Sequence, residues 1–263
     1  MSYALHDSAT MLRRNLRHAL RYPSMTIATI AGPVLMLLLF DYAFGGALGA
    51  GIGGGAASDG GHYIDYLAPG IILLAATSGS VATAVAVCTD MTEGIINRFR
   101  TMAISRSSVL TEHVVGSTIQ TLVSIVFVIA VALALGFRPT AGPGDWLAAI
   151  GLLVLVTFAL TWLSAAFGLV TSSPEAASNA PLPFQFLPFL GSAIVPTDSM
   201  PAGMRVFAEN QPFTPIIETL RGLLMGTAIG DSAMLAVGWC AALALVGYLW
   251  ARRAFNRPRT RLA

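Results

Sequence analysis

The sequence contains no lysine, and this absence restricts the chemistry that the chain can perform. All fifteen basic residues are arginine. A standard Walker A loop needs a lysine on the nucleotide phosphates, so this chain cannot build one. Any ATP hydrolysis linked to the protein is therefore expected to come from a different polypeptide.

Cysteine and histidine are scarce as well, with two and four residues respectively. Cys88 and Cys240 both lie inside apolar runs, which favours neither a disulfide nor a metal site. The histidines are scattered near or beyond the ends of these runs, so we interpret them as ordinary surface residues: His6, His18, His62 and His113. With no clustered constellation such as H-E-x-x-H, we expect no metal, no cofactor on this chain and no intramembrane enzyme.

Charged side chains are the third shortage. They make up 11% of the 263 residues, whereas 55% are hydrophobic; soluble domains have roughly a quarter charged. About twenty apolar residues cross roughly 30 Å of hydrocarbon. We predict an all-α polytopic membrane protein, a single domain with six transmembrane helices at about 24–44, 66–89, 112–137, 146–171, 176–195 and 233–250.

Residues 3–22 precede the first span and combine a leucine stripe with four arginines, Arg13, Arg14, Arg17 and Arg21. This pattern predicts an amphipathic helix on the membrane surface, the alternative being a soluble tail. The first span could also be a signal peptide, but its apolar run is longer than the usual 7–15 residues of a signal core. We therefore expect an uncleaved helix.

Two of the predicted spans have unusual compositions. Residues 66–89 are rich in small residues, which favours close contact with other helices rather than lipid. Residues 176–195 contain Pro181, Pro183 and Pro188, so this span must be broken or must line a cavity. Both a mobile, pathway-lining helix and a kink satisfied by its neighbours fit this pattern.

Residues 196–230 are too polar to span, and we predict an external re-entrant or helical segment there. Thr214 and Pro215 favour a helix start, with Glu218 and Arg221 as an i, i+3 pair. The arginine distribution then orients the chain: twelve fall on segments that would lie inside and three on segments outside. This bias predicts cytoplasmic termini and a multi-pass protein of the cytoplasmic (inner or plasma) membrane.

The loop at residues 90–108 is then cytoplasmic. Ile95, Phe99 and Met102 repeat at helical spacing, whereas Arg98 and Arg100 fall on the other side. An amphipathic helix of this kind suits docking to a cytosolic partner. A connector lying on lipid headgroups fits the residues equally well.

The order of these features resembles a type-2 ABC exporter permease. Residues 90–98 contain Asp90, Glu93-Gly94 and Arg98, similar to the family's acidic-glycine-basic stretch; Ile104-Ser105-Arg106 follows, with Met102-Ala103 replacing Leu-Pro. Residues 210–222 resemble the family's Asn-Pro-x-x-Pro…Glu-x-x-Arg-Gly stretch, with Gln211 inserted. The nearest subgroup is that of the daunorubicin-resistance permeases.

The resemblance implies an exporter of two permease copies, identical or different, and two ATP-binding subunits, which carry the ATP and magnesium. It further implies that residues 91–104 form a coupling helix in a groove of the ATPase, with the N-terminal helix alongside. The residues expected to couple the subunits are Asp90, Glu93, Gly94, Ile95, Arg98, Phe99, Met102 and Arg106.

The implied cargo is an amphipathic drug, antibiotic or lipid. Membrane lipid is an expected partner, and nucleic acid is not. The alternative function is an ion-coupled secondary carrier, because Asp41 lies near the outer end of the first span and the fifth span is interrupted by prolines.

Overall fold

A computed structural model of the protein describes residues 23–46, 63–92 and 106–256. Within these ranges the chain is helical and contains no strand. The elements are α1 Pro23–Leu38 with a π-helical turn Leu39–Phe44, α2 Tyr63–Thr92, α3 Arg106–Leu135, α4 Pro143–Val170, α5 Pro174–Asn179, α6 Leu182–Phe186, 3-10 turns Leu187–Leu190 and Thr197–Ser199, α7 Ala202–Asn210, α8 Phe213–Met225 and α9 Ser232–Asn256.

Among the described residues, four helices are long and apolar enough to cross a membrane: α2, the part of α3 from His113, α4 and α9. A shorter apolar helix covers Ile30–Phe44. These elements confirm a helical polytopic architecture. Their ends differ from the predicted ones by a few residues, because the backbone continues its helical hydrogen bonds into polar sequence. α3, for example, already includes Arg106, six residues before the predicted start at residue 112.

α2 is the central helix and is buried along most of its length. Its small residues, and one on α4, allow neighbouring backbones to approach closely. A Cβ atom on Gly70 would lie 2.6 Å from the carbonyl oxygen of Ala193, and a Cβ on Gly168 of α4 would overlap the carbonyl oxygen of Ala84. The prediction that this span faces protein rather than lipid is confirmed.

Residues 174–195, here called the broken segment, lie antiparallel to α2. The contacts progress steadily along α2: Ala177 packs against Cys88, Gln185 donates a hydrogen bond to Ser78, and Ala193 meets Gly70. A continuous helix over 176–195 was one possibility, and the structure instead contains helical pieces of 6, 5 and 4 residues. The prolines explain the breaks, since each lacks a backbone N–H and disfavours helical backbone before it.

Each end of α2 provides a landmark, and we refer to the Tyr63 end and the Asp90 end of the molecule. α8 lies at the Tyr63 end, where the Leu224 carbonyl accepts hydrogen bonds from the amides of Thr140 and Ala141. It begins at Phe213, one residue before the predicted start, and ends at Met225, followed by Gly226, whose φ is 68°. Its apolar face is buried inside the protein: Phe213, Ile216, Ile217, Leu220 and Leu224.

The contact between α2 and α4 leads to a stability test with two glycines of α4. We expect Gly168→Ala to destabilise the protein by about 1–3 kcal/mol, because the new methyl group overlaps the Ala84 carbonyl. Gly151→Ala is the control, since a Cβ there meets nothing within 4 Å and alanine favours a helix by about 1 kcal/mol. The Tm values of the detergent-solubilised variants measure the difference. Equal Tm values for both variants would contradict the close packing.

Candidate functional site

The irregular backbone of the broken segment places several carbonyl oxygens at the Tyr63 end. An arginine binds two carbonyls there: Arg221 Nη2 donates to the Ser192 carbonyl at 2.6 Å and to the Tyr66 carbonyl at 3.2 Å. Its Nε donates to the Tyr66 carbonyl at 3.3 Å. A planar guanidinium with five N–H donors suits this bridging role.

Tyr66 completes this arrangement. Its hydroxyl donates to the Ser192 carbonyl at 3.0 Å, and its ring stacks under the guanidinium, with the Arg221 Cζ atom 3.7 Å from the ring centroid. Such a cation–π contact adds to the hydrogen bonds, more strongly where water is excluded. We call Arg221, Tyr66 and Ser192 the Arg221 clamp, because they join α8, α2 and the broken segment.

Two further side chains hold the same backbone. The Tyr63 hydroxyl donates to the Ile194 carbonyl at 3.2 Å, and Gln211 Nε2 donates to the Leu187 carbonyl at 3.1 Å. Gln211 is the residue inserted relative to the family motif, and it is 4% exposed. Side chains from α2 and from the α7–α8 region therefore replace the helical hydrogen bonds that the broken segment lacks.

The predicted i, i+3 pair of Glu218 and Arg221 lies on α8, where each side chain has a hydrogen-bond partner of its own. The ion pairs among the described residues do not include it, and the Glu218 carboxylate instead accepts a hydrogen bond from the Ser232 hydroxyl at 3.2 Å. The reason is that the carbonyls of the broken segment and α2 engage the arginine. The spacing along one helix gives no information about such a tertiary acceptor.

At the Asp90 end, a second polar contact joins the two helices that flank the predicted coupling loop. His113 Nε2 of α3 lies 2.9 Å from Asp90 Oδ2 of α2, with exposed side-chain fractions of 14% and 24%. The interpretation of His113 as an ordinary surface residue was wrong. The available signal was its position just after the loop, as Asp90 comes just before it.

The other predicted coupling residues remain untested. Glu93, Gly94, Ile95, Arg98, Phe99 and Met102 lie outside the described residues, as do Arg13, Arg14, Arg17 and Arg21 of the N-terminal helix. Arg106 is the first residue of α3. No group of three or more potential metal ligands occurs in the described ranges.

Exposed charges surround the Asp90 end. Arg252 and Arg253 are exposed near the end of α9, whose Ala251 and Phe255 pack against Val87. Glu175 is exposed in the first turn of α5.

Between the two ends, α6 forms the middle of the broken segment. α6 has no buried residue. It contacts the rest of the protein through the Gln185–Ser78 hydrogen bond at 3.2 Å and through Phe184, whose ring centroid lies 5.9 Å from that of Phe167. A narrow cleft beside it is lined partly by hydroxyl groups of α2 and α4, those of Thr77, Ser80 and Ser164.

Comparison with known proteins identifies the family to which this chain is similar. The model of the ABC-2 type transporter family matches residues 7–225. The daunorubicin resistance ABC transporter permease protein DrrB1 of Streptomyces coeruleorubidus is 27% identical over 226 residues, covering 86% of this chain and 77% of that protein. The probable doxorubicin resistance ABC transporter permease protein DrrC of Mycobacterium tuberculosis is 25% identical over 218 residues, covering 83% and 78%.

A putative transport permease, ycf38, of Porphyra purpurea is 26% identical over 226 residues, which cover 85% of this chain and 75% of that protein. The family match extends over most of the chain and includes both the Arg221 clamp and the Asp90–His113 contact. Together with the long apolar helices, it identifies a multi-pass protein of the cell membrane. The chain belongs to the ABC-2 type transporter family and is a permease, the membrane subunit of an ABC exporter.

Proposed function

We propose that this permease moves amphipathic compounds, such as drugs, antibiotics or lipids, outward across the cytoplasmic membrane. The observation that carries the proposal is the family match over residues 7–225, with relatives named for resistance to daunorubicin and doxorubicin. The energy comes from a separate ATP-binding subunit, since the lysine-free chain lacks a Walker A loop. Two permeases and two such subunits form the exporter.

The chain crosses the membrane six times, with the broken segment as the fifth crossing. This segment follows α2 from Cys88 to Tyr63, a length of roughly 37 Å at about 1.5 Å per helical residue. That length exceeds the roughly 30 Å of hydrocarbon. Exposed Arg252 and Arg253 at the Asp90 end support a cytoplasmic position for this end.

The coupling helix, residues 91–104, then docks on the ATP-binding subunit. Ile95, Phe99 and Met102 form its apolar face, and Arg98 and Arg100 select the register by charge. α2 ends at the start of this helix. A displacement of the coupling helix therefore acts directly on α2, the central helix of the permease.

The broken segment is the part that moves. The Arg221 clamp holds its outer end against α2 and α8, whereas its middle is only lightly attached. Closure of the ATP-binding subunits rocks α2 and shifts the balance toward a state in which the clamp is open. Hinges at Pro181, Pro183 and Pro188 allow this change without breaking a continuous helix.

An ion-coupled carrier is the second candidate, favoured by Asp41. This carboxylate lies in the π-helical turn Leu39–Phe44 and is partly buried. Irregular turns of this type frequently occur at functional sites, and carboxylates within membrane helices serve proton pathways. The two candidates differ in their energy source.

The first test therefore measures the energy source in proteoliposomes. We expect the purified permease alone to hydrolyse no ATP, and a P-loop protein to co-purify with it from native membranes. Transport of doxorubicin by the complex requires ATP and continues when a protonophore collapses the proton gradient. Transport that follows the proton gradient without ATP would establish the carrier instead.

The coupling helix is tested with Phe99→Ala. We expect drug-stimulated ATPase activity of the assembled complex to fall roughly fivefold or more, since an apolar anchor of the interface is lost. Glu93→Ala should act in the same direction, with membrane insertion unchanged in both variants. Phe127→Ala is the matched control, because this α3 side chain is 54% exposed on the helix surface. Wild-type coupling in both loop variants would refute the docking role.

The clamp is tested with Arg221→Met, which keeps an unbranched apolar stem and removes the guanidinium with its donors. The Tyr66 carbonyl loses the guanidinium and the Ser192 carbonyl loses one of two donors, so we expect a loss of about 1–3 kcal/mol in stability. A raised basal ATPase activity of the complex should accompany it.

Arg205→Met is the control for the clamp variant. Arg205 forms exposed ion pairs with Asp198 and Glu209, and exposed pairs contribute about 0–1 kcal/mol. Thermal unfolding of both variants is compared in the same detergent. Equal Tm values for Arg221→Met and Arg205→Met would show that the clamp does not stabilise the protein.

A further inference from the structure

We propose that His113 is a positioning residue of the coupling loop. Its contact with Asp90 ties the last turn of α2 to α3, so that a displacement of the loop moves both helices together. This role rests on the proposed exporter function and adds a residue outside the coupling motif itself. The juxtaposition of Asp90 and His113 at the base of the loop carries the inference.

The Asp90–His113 contact joins the two helices that the coupling loop connects. All residues that connect α2 to α3 lie between Asp90 and His113 in the sequence, and the 2.9 Å contact joins the two ends of this stretch. Next to the pair, Val87 of α2 lies in one buried cluster with Leu110 and Val114 of α3. The polar contact therefore lies within the apolar contact between the two helices, because Leu110 and Met91 of the same cluster lie nearer the loop than His113 and Asp90 do.

The placement of Asp90 indicates that the contact is specific. The residue lies in the last described turn of α2, next to polar sequence. An aspartate in that position would ordinarily point to water. This side chain is instead only 24% exposed and faces His113, whose Nε2 compensates the carboxylate.

The tie does not depend on the charge of the histidine. An imidazole with its proton on Nε2 donates a hydrogen bond to the carboxylate, and an imidazolium does the same. Both forms hold the ends of α2 and α3 at the same distance. The role is therefore mechanical, and a residue that restores the link restores the coupling.

The test compares coupling ratios in the complete complex of permease and ATP-binding subunit, reconstituted in proteoliposomes with doxorubicin as the probe. We expect His113→Ala to lower the doxorubicin transported per ATP hydrolysed roughly fivefold, with basal ATPase activity and subunit assembly unchanged. The swapped pair Asp90→His with His113→Asp should recover most of the ratio. Val115→Ala, on the same helix and 38% exposed, is the control and should leave the ratio unchanged.

A second variant replaces the natural contact with a reversible one. Asp90→Cys with His113→Cys is prepared in a complex whose other cysteines are replaced, Cys88 and Cys240 included, and is joined by a short bis-methanethiosulfonate reagent. We expect a high transport-to-ATP ratio in the cross-linked sample and a low ratio in the same sample after reduction. This comparison does not depend on how the single variants fold.

The outcomes separate the two levels of the proposal. A wild-type ratio in His113→Ala, or no change when the cross-link is reduced, would overturn the role of His113 and leave the exporter function intact. An uncoupled swapped pair together with an inactive cross-linked sample would overturn it as well. A wild-type complex in which doxorubicin transport requires no ATP would overturn the exporter function and, with it, this role.

Discussion

A backbone that leaves the helix inside a membrane must find its hydrogen-bond partners within the protein. In the proposed exporter the broken segment is such a backbone, because its prolines interrupt the regular helical hydrogen bonds. Arg221, Tyr66, Tyr63 and Gln211 supply the missing donors to the carbonyls of Leu187, Ser192 and Ile194. The position of α8 and the beginning of α2 both follow from this requirement.

α2 connects the Arg221 clamp with the Asp90–His113 contact. It carries Tyr63 and Tyr66 at one end and Asp90 at the other, and the small residues along it admit close neighbours on several sides. A tightly packed helix transmits a displacement over its length instead of deforming. In the proposed exporter, the ATP-binding subunit acts on the Asp90 end, and the response appears at the Arg221 clamp.

Much of this architecture could be predicted from the sequence. The apolar runs indicated α2, α3, α4 and α9, the small residues of α2 indicated its contact with protein, and the prolines indicated a break in the fifth span. Each of these features follows from local composition. The six crossings, the orientation and the docking loop remain predictions, and most of that loop lies outside the described residues.

The sequence pattern did not predict the contacts between residues on different helices. Helical spacing paired Arg221 with Glu218, but the carbonyls that bind Arg221 come from residues 66 and 192. His113 was assigned to the surface because its partner, Asp90, lies on another helix. In both cases only the folded chain brings the groups together.

In the proposed exporter, ATP binding at the Asp90 end of α2 releases the broken segment at the Tyr63 end. Hydrogen exchange measured by mass spectrometry on residues 187–195 tests it directly, with the complex in nanodiscs compared without nucleotide and in an ATP-trapped state. The account predicts that this segment exchanges faster in the trapped state, whereas the amides of α4 do not change. Equal protection of residues 187–195 in both states would contradict it.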